Sequence, residues 1–240
     1  LLKSNLIDEI ICINDGSSDK SLEILRGFGN RIKLINFKTN KGKGTAVAEG
    51  IREASGDFLF FCDSDLINFT TDHIKKMLEP IFTGKTKVVF AVPTQDKTGK
   101  YARHEVYLAG ERIYPRAALL PHLSKLSRSR GAGGSEIYLN TLFSKKEIKI
   151  VPLVGLIKPL KTNKWSSTIA LKQYLLSVIG ILQESGRIEI NSIRDLKQLE
   201  NLVQMDTFEG LIMKIGEIKN KRVQSILKKY FLKYITKYVK

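Results

Sequence analysis

The chain has 240 residues, 42% of them hydrophobic, which is enough to bury a sizeable core and excludes a disordered chain or a bare linker. Forty Lys and Arg against 24 Asp and Glu leave a formal charge of +16, which points to anionic partners: phosphates, nucleic acid or an acidic membrane surface. The cysteines, Cys12 and Cys62, lie inside apolar runs and read as small buried hydrophobes. With no CxxC and no His/Cys cluster, a disulfide framework and a structural zinc site are both disfavoured.

Strands and helices alternate along the first half. Ile7 to Asn14 has the pattern of a buried strand, Ser21 to Arg26 that of a helix after the Gly16-Ser17-Ser18 turn, and Ile32 to Phe37 that of a second strand. A glycine-rich loop, Asn40 to Gly44, leads into a helix from about Thr45 to Ala54. Asp57 to Cys62 is expected to be a third strand buried on both faces, Asp72 to Phe82 a surface helix, and Lys87 to Val92 a fourth strand. Further on, Tyr107 to Tyr114 is a strand or a helix. Pro115 to Leu126 is expected as one helix, Glu136 to Phe143 as another, and Ile148 to Leu153 as a strand. Trp165 to Gln183, Ser192 to Met205 and Lys221 to Tyr238 read as helices. The alternation argues for an α/β fold with a mostly parallel sheet flanked by helices. Ligands of such sheets bind beyond the carboxyl ends of the strands.

Both acidic motifs fall at such ends. In Asp63-Ser64-Asp65, carboxylates two residues apart after a strand can hold a divalent cation through oxygen ligands and so bridge a nucleotide diphosphate. An acidic turn capping a strand is the competing reading. Asp15-Gly16-Ser17-Ser18-Asp19 offers a tight bend and a helix cap, and its carboxylates can accept from a base or ribose. The loop Asn40-Lys41-Gly42-Lys43-Gly44-Thr45-Ala46 opens a helix whose N-terminus attracts phosphate, although it lacks P-loop spacing.

In this order and spacing, INDGSSD, NKGKGTA and FCDSDL make residues 7 to 67 resemble the nucleotide-sugar-binding half of family 2 glycosyltransferases with the GT-A fold. That signature runs strand, DGSxD, helix, strand, NxGxGxA, helix, strand, DxD. The branch it resembles is that of dolichol-phosphate mannose synthase and related polyprenyl-phosphate glycosyltransferases. Gly110 to Arg116 and Gly134 to Asn140 resemble later segments of the family more weakly. The resemblance implies a GT-A domain over residues 1 to 165, with a basic helical region over 166 to 240. It implies transfer of a sugar from a nucleoside-diphosphate sugar with Mg2+ or Mn2+, to an acceptor that includes lipid phosphates. Asp15 would contact the base and Asp19 support its loop, while Asn40, Gly42 and Lys43 line the nucleotide pocket. Asp63 would lie near ribose and diphosphate, and Asp63 with Asp65 would hold the metal. Arg112, Arg128 and Arg130 would serve the acceptor side, and Asp65 and Glu136 the chemistry, with Glu136 as general base for a hydroxyl acceptor. The family's opening strand with its P-x-Y-N-E-like segment has no counterpart here, and the chain starts at Leu1 without Met, so an N-terminal truncation is expected. Where some relatives carry a further metal-binding His, Val154 to Trp165 holds only Lys158, Lys161 and Lys164, which can meet phosphate as point charges.

Residues 219 to 240 carry eight basic and no acidic side chains, with Val223, Leu227, Phe231 and Tyr234 at helical spacing. The stripe suits packing on the rest of the protein, or an in-plane helix on an anionic membrane. A transmembrane span needs about 20 largely apolar residues, and the best stretch, Ile169 to Leu182, is interrupted by Lys172 and Gln173. The expected location is therefore cytoplasmic, with peripheral attachment to the inner membrane face. The rivals are a nucleotidyltransferase and a non-catalytic module for nucleic acid. No nucleic-acid-binding signature accompanies the charge, and acidic strand ends would repel phosphate without a metal. His73, His104 and His122 have no partners at metal spacing, and Trp165 is expected to anchor packing.

Overall fold

The computed structural model describes residues 1–94, 98, 109–129, 134–159, 202 and 208–232. They fall into two units, residues 1–130 with 135–158, and residues 131–134 with 159–240.

In the first unit β1 (Ile11–Asp15), α1 (Ser21–Arg26), β2 (Lys33–Phe37), α2 (Lys43–Glu53), β3 (Phe58–Phe61), α3 (Thr71–Phe82) and β4 (Val88–Thr94) follow one another. After them come β5 (Arg112–Pro115), α4 (Arg116–Leu119), α5 (Leu123–Arg128), α6 (Gly134–Asn140) and β6 (Ile148–Val154). β1 pairs with β2 in parallel, Ile11 opposite Lys33 and Asp15 opposite Phe37. The other sheet has the order β3-β5-β4-β6. β4 and β6 run parallel, and β5 runs antiparallel to both β3 and β4.

β4 explains where the core sits. Its sequence VVFAVPT is a continuous apolar run, as a strand covered on both faces requires. Successive side chains point to opposite faces. Val88, Phe90 and Val92 pack with Ala48 and Ile51 of α2, Leu126 of α5 and Tyr138 and Leu139 of α6. Val89 and Ala91 pack on the other face with Met77 and Ile81 of α3, Ile113 and Leu153. Each of the buried Val, Leu, Ile, Met and Phe side chains among them contributes about 1.5–3 kcal/mol.

Four expectations are corrected. β1 begins at Ile11, with the Ile10 carbonyl just before it still accepting from the Lys33 N–H of β2 at 2.8 Å, and the Glu9 carboxylate accepts from the Ser55 N–H and hydroxyl. β3 lies at the edge of its sheet and leaves Phe58 42% exposed, so it is not buried on both faces. The helix expected over Pro115 to Leu126 breaks into α4, a 3-10 turn at Leu120–His122 and α5, because Pro121 has no N–H to continue the ladder. His73 is buried in α3: its Nδ1 accepts from the Thr70 N–H, which leaves Nε2, 3.0 Å from the Val154 carbonyl oxygen, to donate.

In the second unit α7 (Phe208–Glu217) and α8 (Lys221–Ile226) are followed by a π-helical stretch, Leu227–Leu232. Asn220 caps α8 by accepting from the Val223 N–H, and Leu211, Ile215, Val223 and Leu227 are buried. The helices expected over Trp165 to Gln183 and Ser192 to Met205, Leu202 excepted, and the end of the one expected over Lys221 to Tyr238 lie outside the described residues, as do Arg130 and His104. Among the described residues no helix is long and apolar enough to cross a membrane.

Candidate active site

The first wall of the site is a clamp between two loops. Asp15 ends β1, and its carboxylate accepts from the backbone N–H groups of Lys41 (2.7 Å) and Gly42 (2.9 Å). Asn40 Oδ1 also accepts from the Gly42 N–H, at 3.0 Å. Gly42, at φ +89°, turns the chain into α2. The loops approach so closely that a Cβ on Gly16 would fall 2.5 Å from the Asn40 nitrogen. A cross-strand bond that sequence reasoning missed steadies the turn: Asn14 Nδ2 donates to Asn36 Oδ1 at 2.7 Å, and Asn14 Oδ1 accepts from the Ser17 N–H. Asp15 thus spends both oxygens on the glycine-rich loop, and the amides of Lys41 and Gly42 are committed to it. Asp19 is exposed and accepts from the Ser21 N–H; the Ser21 hydroxyl first, and then that amide, hold its carboxyl below the usual range.

A charged cluster forms the second part. Lys43 opens α2. Its ammonium donates to Glu136 Oε1 and lies 3.7 Å from Asp63 Oδ1. Ser135 Oγ donates to the other Glu136 oxygen at 2.9 Å. Burial alone would push the Glu136 carboxyl up, but the Lys43 charge and hydrogen bond bring it below its ordinary value. Partial desolvation likewise opposes the charge of the half-exposed Lys43, and the Glu136 and Asp63 carboxylates outweigh it, so that ammonium is held more firmly protonated.

Asp63 stands just beyond β3. Because β5 is antiparallel, with Arg112 opposite Phe61, the residues before Arg112 run past the same end of β3. Gly110 therefore faces Asp63 so closely that a Cβ would overlap the carboxylate. On the far side Lys158 donates to Asp63 Oδ2 and lies 4.0 Å from Glu111 Oε1. Its backbone is set by a reciprocal pair next to it, Ile157 N–H to the Ile67 oxygen (3.0 Å) and Ile67 N–H to the Ile157 oxygen (2.9 Å). Glu111 is fully buried, and burial pushes its carboxyl up against the pull of Lys158. The neighbouring Cys62 thiol is pushed up to about 12 by burial, with Glu111 and Asp63 adding to the effect, which makes it a poor nucleophile.

Arg112 departs from the expected acceptor-facing position. It is 1% exposed and lies 4.3 Å over the Phe90 ring. Its guanidinium donates to the Ala109 oxygen (2.6 Å), the Glu136 backbone oxygen (3.2 Å), Asn140 Oδ1 (2.7 Å) and the Tyr114 hydroxyl (3.1 Å). It positions α6, and with it Glu136, from beneath. Arg128 is exposed at the end of α5. Asp65 lies two residues past Asp63 with its Oδ1 buried.

Among the described residues no group of three or more His, Cys, Asp or Glu side chains is arranged to hold a metal. Asp63 and Asp65 nevertheless fit a hard divalent cation. Asp63 already draws in the ammonium groups of Lys43 and Lys158, so positive charge is what this carboxylate is set to receive. Mg2+-like ions need only one or two protein carboxylates when substrate phosphate and water complete the shell.

A family model described as Glycosyl transferase family 2 matches residues 1–144. The chain belongs to that family. Over 61 residues it is 41% identical to the poly-beta-1,6-N-acetyl-D-glucosamine synthase of Staphylococcus epidermidis, covering 25% of this chain and 15% of that protein. Over 92 residues it is 37% identical to the uncharacterized glycosyltransferase YkcC of Bacillus subtilis, covering 37% of this chain and 28% of the relative. The matched stretches thus span less than a third of the length of these relatives. In fold the chain is similar to glucosyl-3-phosphoglycerate synthase of Mycobacterium tuberculosis, solved in complex with Mn2+ and UDP-glucose. The TM-score is 0.52 at 20% identity, over 77% of this chain and 71% of that one. The α/β architecture is accordingly that of GT-A glycosyltransferases.

Proposed function

We propose that this family 2 chain moves a sugar from a nucleoside-diphosphate sugar to an acceptor presenting an ionised phosphate, with Mg2+ or Mn2+ held by Asp63 and Asp65. The observation that carries the reading is the convergence of Lys43, Asp63, Glu136 and Lys158 from four separate segments at one end of β3. A divalent cation bound there supplies charge neutralisation for the diphosphate leaving group. The chain's own residues supply the rest. Lys43 reaches from the start of α2 with a charge for the departing phosphate, and Glu136 fixes its direction. Asp15, Asn40 and Gly42 form the rigid wall against which the nucleoside would rest.

The acceptor class follows from Glu136. A general base works best with a pKa near the working pH. Glu136 is held below the ordinary carboxylate range and is paired with Lys43, so it is a weak base for a hydroxyl. An ionised phosphate needs no proton removed. The M. tuberculosis synthase was solved with phosphoglyceric acid, a ligand that carries an ionised phosphate and a hydroxyl, so this fold accommodates a phosphorylated ligand. The basic segment 219–240 favours a polyprenyl phosphate at the inner membrane surface, with Arg128 and Arg130 steering it.

The test is a panel of nucleotide sugars with Mn2+, read by thermal shift, followed by transfer to phosphoglycerate and to a short-chain polyprenyl phosphate. We expect one nucleotide sugar to stabilise the protein only with metal, and label to appear on the polyprenyl phosphate. Stabilisation that persists in EDTA, or transfer only to hydroxyl acceptors, would refute the reading.

A further inference from the structure

The proposed transfer leaves Glu111 without a task, and its surroundings are unusual. The residue is 0% exposed, and among the described residues neither carboxylate oxygen has a hydrogen-bond partner. Burying an ionised carboxylate without donors is costly, and such groups are normally paired. The nearest cation is the Lys158 ammonium, 4.0 Å from Oε1, and it is engaged with Asp63 Oδ2 instead.

Lys158 is placed to serve either carboxylate. The Ile67–Ile157 hydrogen-bond pair holds its backbone beside the Asp63-Ser64-Asp65 turn. The ammonium itself is a compact point charge on a flexible four-carbon stem, and the side chain is 36% exposed, so a short swing needs no repacking. Glu111 is held on the strand side of the cluster, where its backbone oxygen accepts from the Ala91 N–H of β4 at 2.8 Å.

We propose that Lys158 is an internal counter-ion that occupies Asp63 until a divalent cation arrives, and that Glu111 is the seat to which its ammonium then moves. The proposal rests on the metal-dependent reading of Asp63 and Asp65. It makes metal affinity a competition: the incoming cation displaces Lys158, and the lysine is compensated by a carboxylate that it meets only at 4.0 Å and without a hydrogen bond while it serves Asp63. Lys158 and Glu111 are then positioning residues and do not ligate the metal.

The test is a titration of the nucleotide-free protein with Mn2+ alone, read by calorimetry and by the EPR signal of free Mn2+, on wild type, Lys158→Met, Glu111→Gln and the double variant. Thermal melts establish that each is folded, and Glu111→Leu stands in if the Gln variant is not. Lys158→Met removes the competitor, so Mn2+ should bind about tenfold more tightly, an effect of the size seen when groups around a metal's ligands are altered. Glu111→Gln strands Lys158 on Asp63, so Mn2+ should bind about tenfold more weakly. In the Lys158→Met background the Glu111 change should have no effect, because its influence passes through Lys158. Weaker Mn2+ binding by Lys158→Met, or an equal effect of Glu111→Gln in both backgrounds, overturns this proposal alone. Absence of Mn2+ binding by the wild type overturns the metal-dependent reading and this proposal with it.

Discussion

Lys43 Nζ donates to Glu136 Oε1 and lies 3.7 Å from Asp63 Oδ1, so one ammonium group ties the first residue of α2 to a helix 93 positions later and to the end of β3. That junction joins the glycine-rich loop to α6, and most of the expected effects of mutation pass through it.

Glu136→Gln keeps the shape of the side chain and removes the charge that directs Lys43. We expect kcat to fall on the order of 10²-fold with donor affinity changed far less, as for an interaction used mainly in the transition state. Stability should drop by about 1–3 kcal/mol, the usual cost of disturbing a buried hydrogen-bonded charge. Steady-state kinetics, donor calorimetry and urea denaturation separate these quantities. Poor donor affinity with normal turnover would place Glu136 in the nucleotide pocket.

Asp65→Asn should abolish metal-dependent nucleotide binding while leaving the fold intact, because Asp65 lies in a turn outside the sheets. Calorimetry with a nucleoside diphosphate and Mn2+ checks it. Equal binding by the variant and the wild type would remove Asp65 from the site.

Acid should weaken the same junction. The native Glu136 carboxyl lies below its unfolded value of about 4.3, so the native state binds fewer protons there. Its contribution is complete above that value and is lost as pH falls through the native one. Lys43 has the opposite sign: its pKa is raised, and its contribution is lost as pH rises past the ordinary lysine range. Its side chain is 47% exposed, and solvent screening keeps that alkaline share small. Melting temperatures between pH 7 and pH 3 should fall less steeply for Glu136→Gln than for the wild type.

Gly110→Ala tests the close packing around Asp63. The added methyl would overlap the Asp63 carboxylate, so the Asp63 side chain must turn away from its lysines or the backbone beside it must shift. Overpacking of this kind costs about 1–3 kcal/mol. We expect a lower melting temperature together with weaker Mn2+ binding. A variant with normal metal affinity would show that Asp63 relaxes without consequence.

The proposed membrane attachment is tested by co-sedimentation with liposomes. Binding should rise with anionic lipid content and fall at high salt, since charge attraction is screened within about 10 Å at 0.1 M. Removing residues 219 to 240 should reduce it. Val223 and Leu227 are buried in the second unit, so the same deletion should also expose apolar surface and lower that unit's stability. Liposome binding unaffected by charge or by the deletion would assign the segment to packing alone.

Local pattern was enough to locate the acidic turns, the glycine-rich loop and the strands that precede them, because each depends on neighbours a few residues apart. Val88 to Val92 announces a doubly covered strand by its apolar run. What could not be read locally depends on distant partners. The bond between Lys158 and Asp63 spans 95 positions, and nothing in Gly155-Leu156-Ile157-Lys158 marks that lysine over its neighbours. Glu111 looks like any charged residue beside a glycine until β5 pairs with β4 and buries it. Arg112 looked like a residue for an anion, and only the stacking of Phe90 beneath it and Asn140 beside it makes it internal. The helix periodicity around His73 predicts a surface position, because it carries no sign of the distant Val154 carbonyl.

β5 is hydrogen-bonded along both edges, to β3 on one side and β4 on the other. Backbone amides in such a strand exchange with solvent only through large-scale opening, whereas loop amides exchange through local fluctuation. Arg112, with Glu111 directly before it, therefore stands on one of the slowest-exchanging parts of the first unit, while Lys43 and Lys158 approach on flexible stems. The mobile charges of this cluster are the ammonium groups of the two lysines, set beside a strand that stays still.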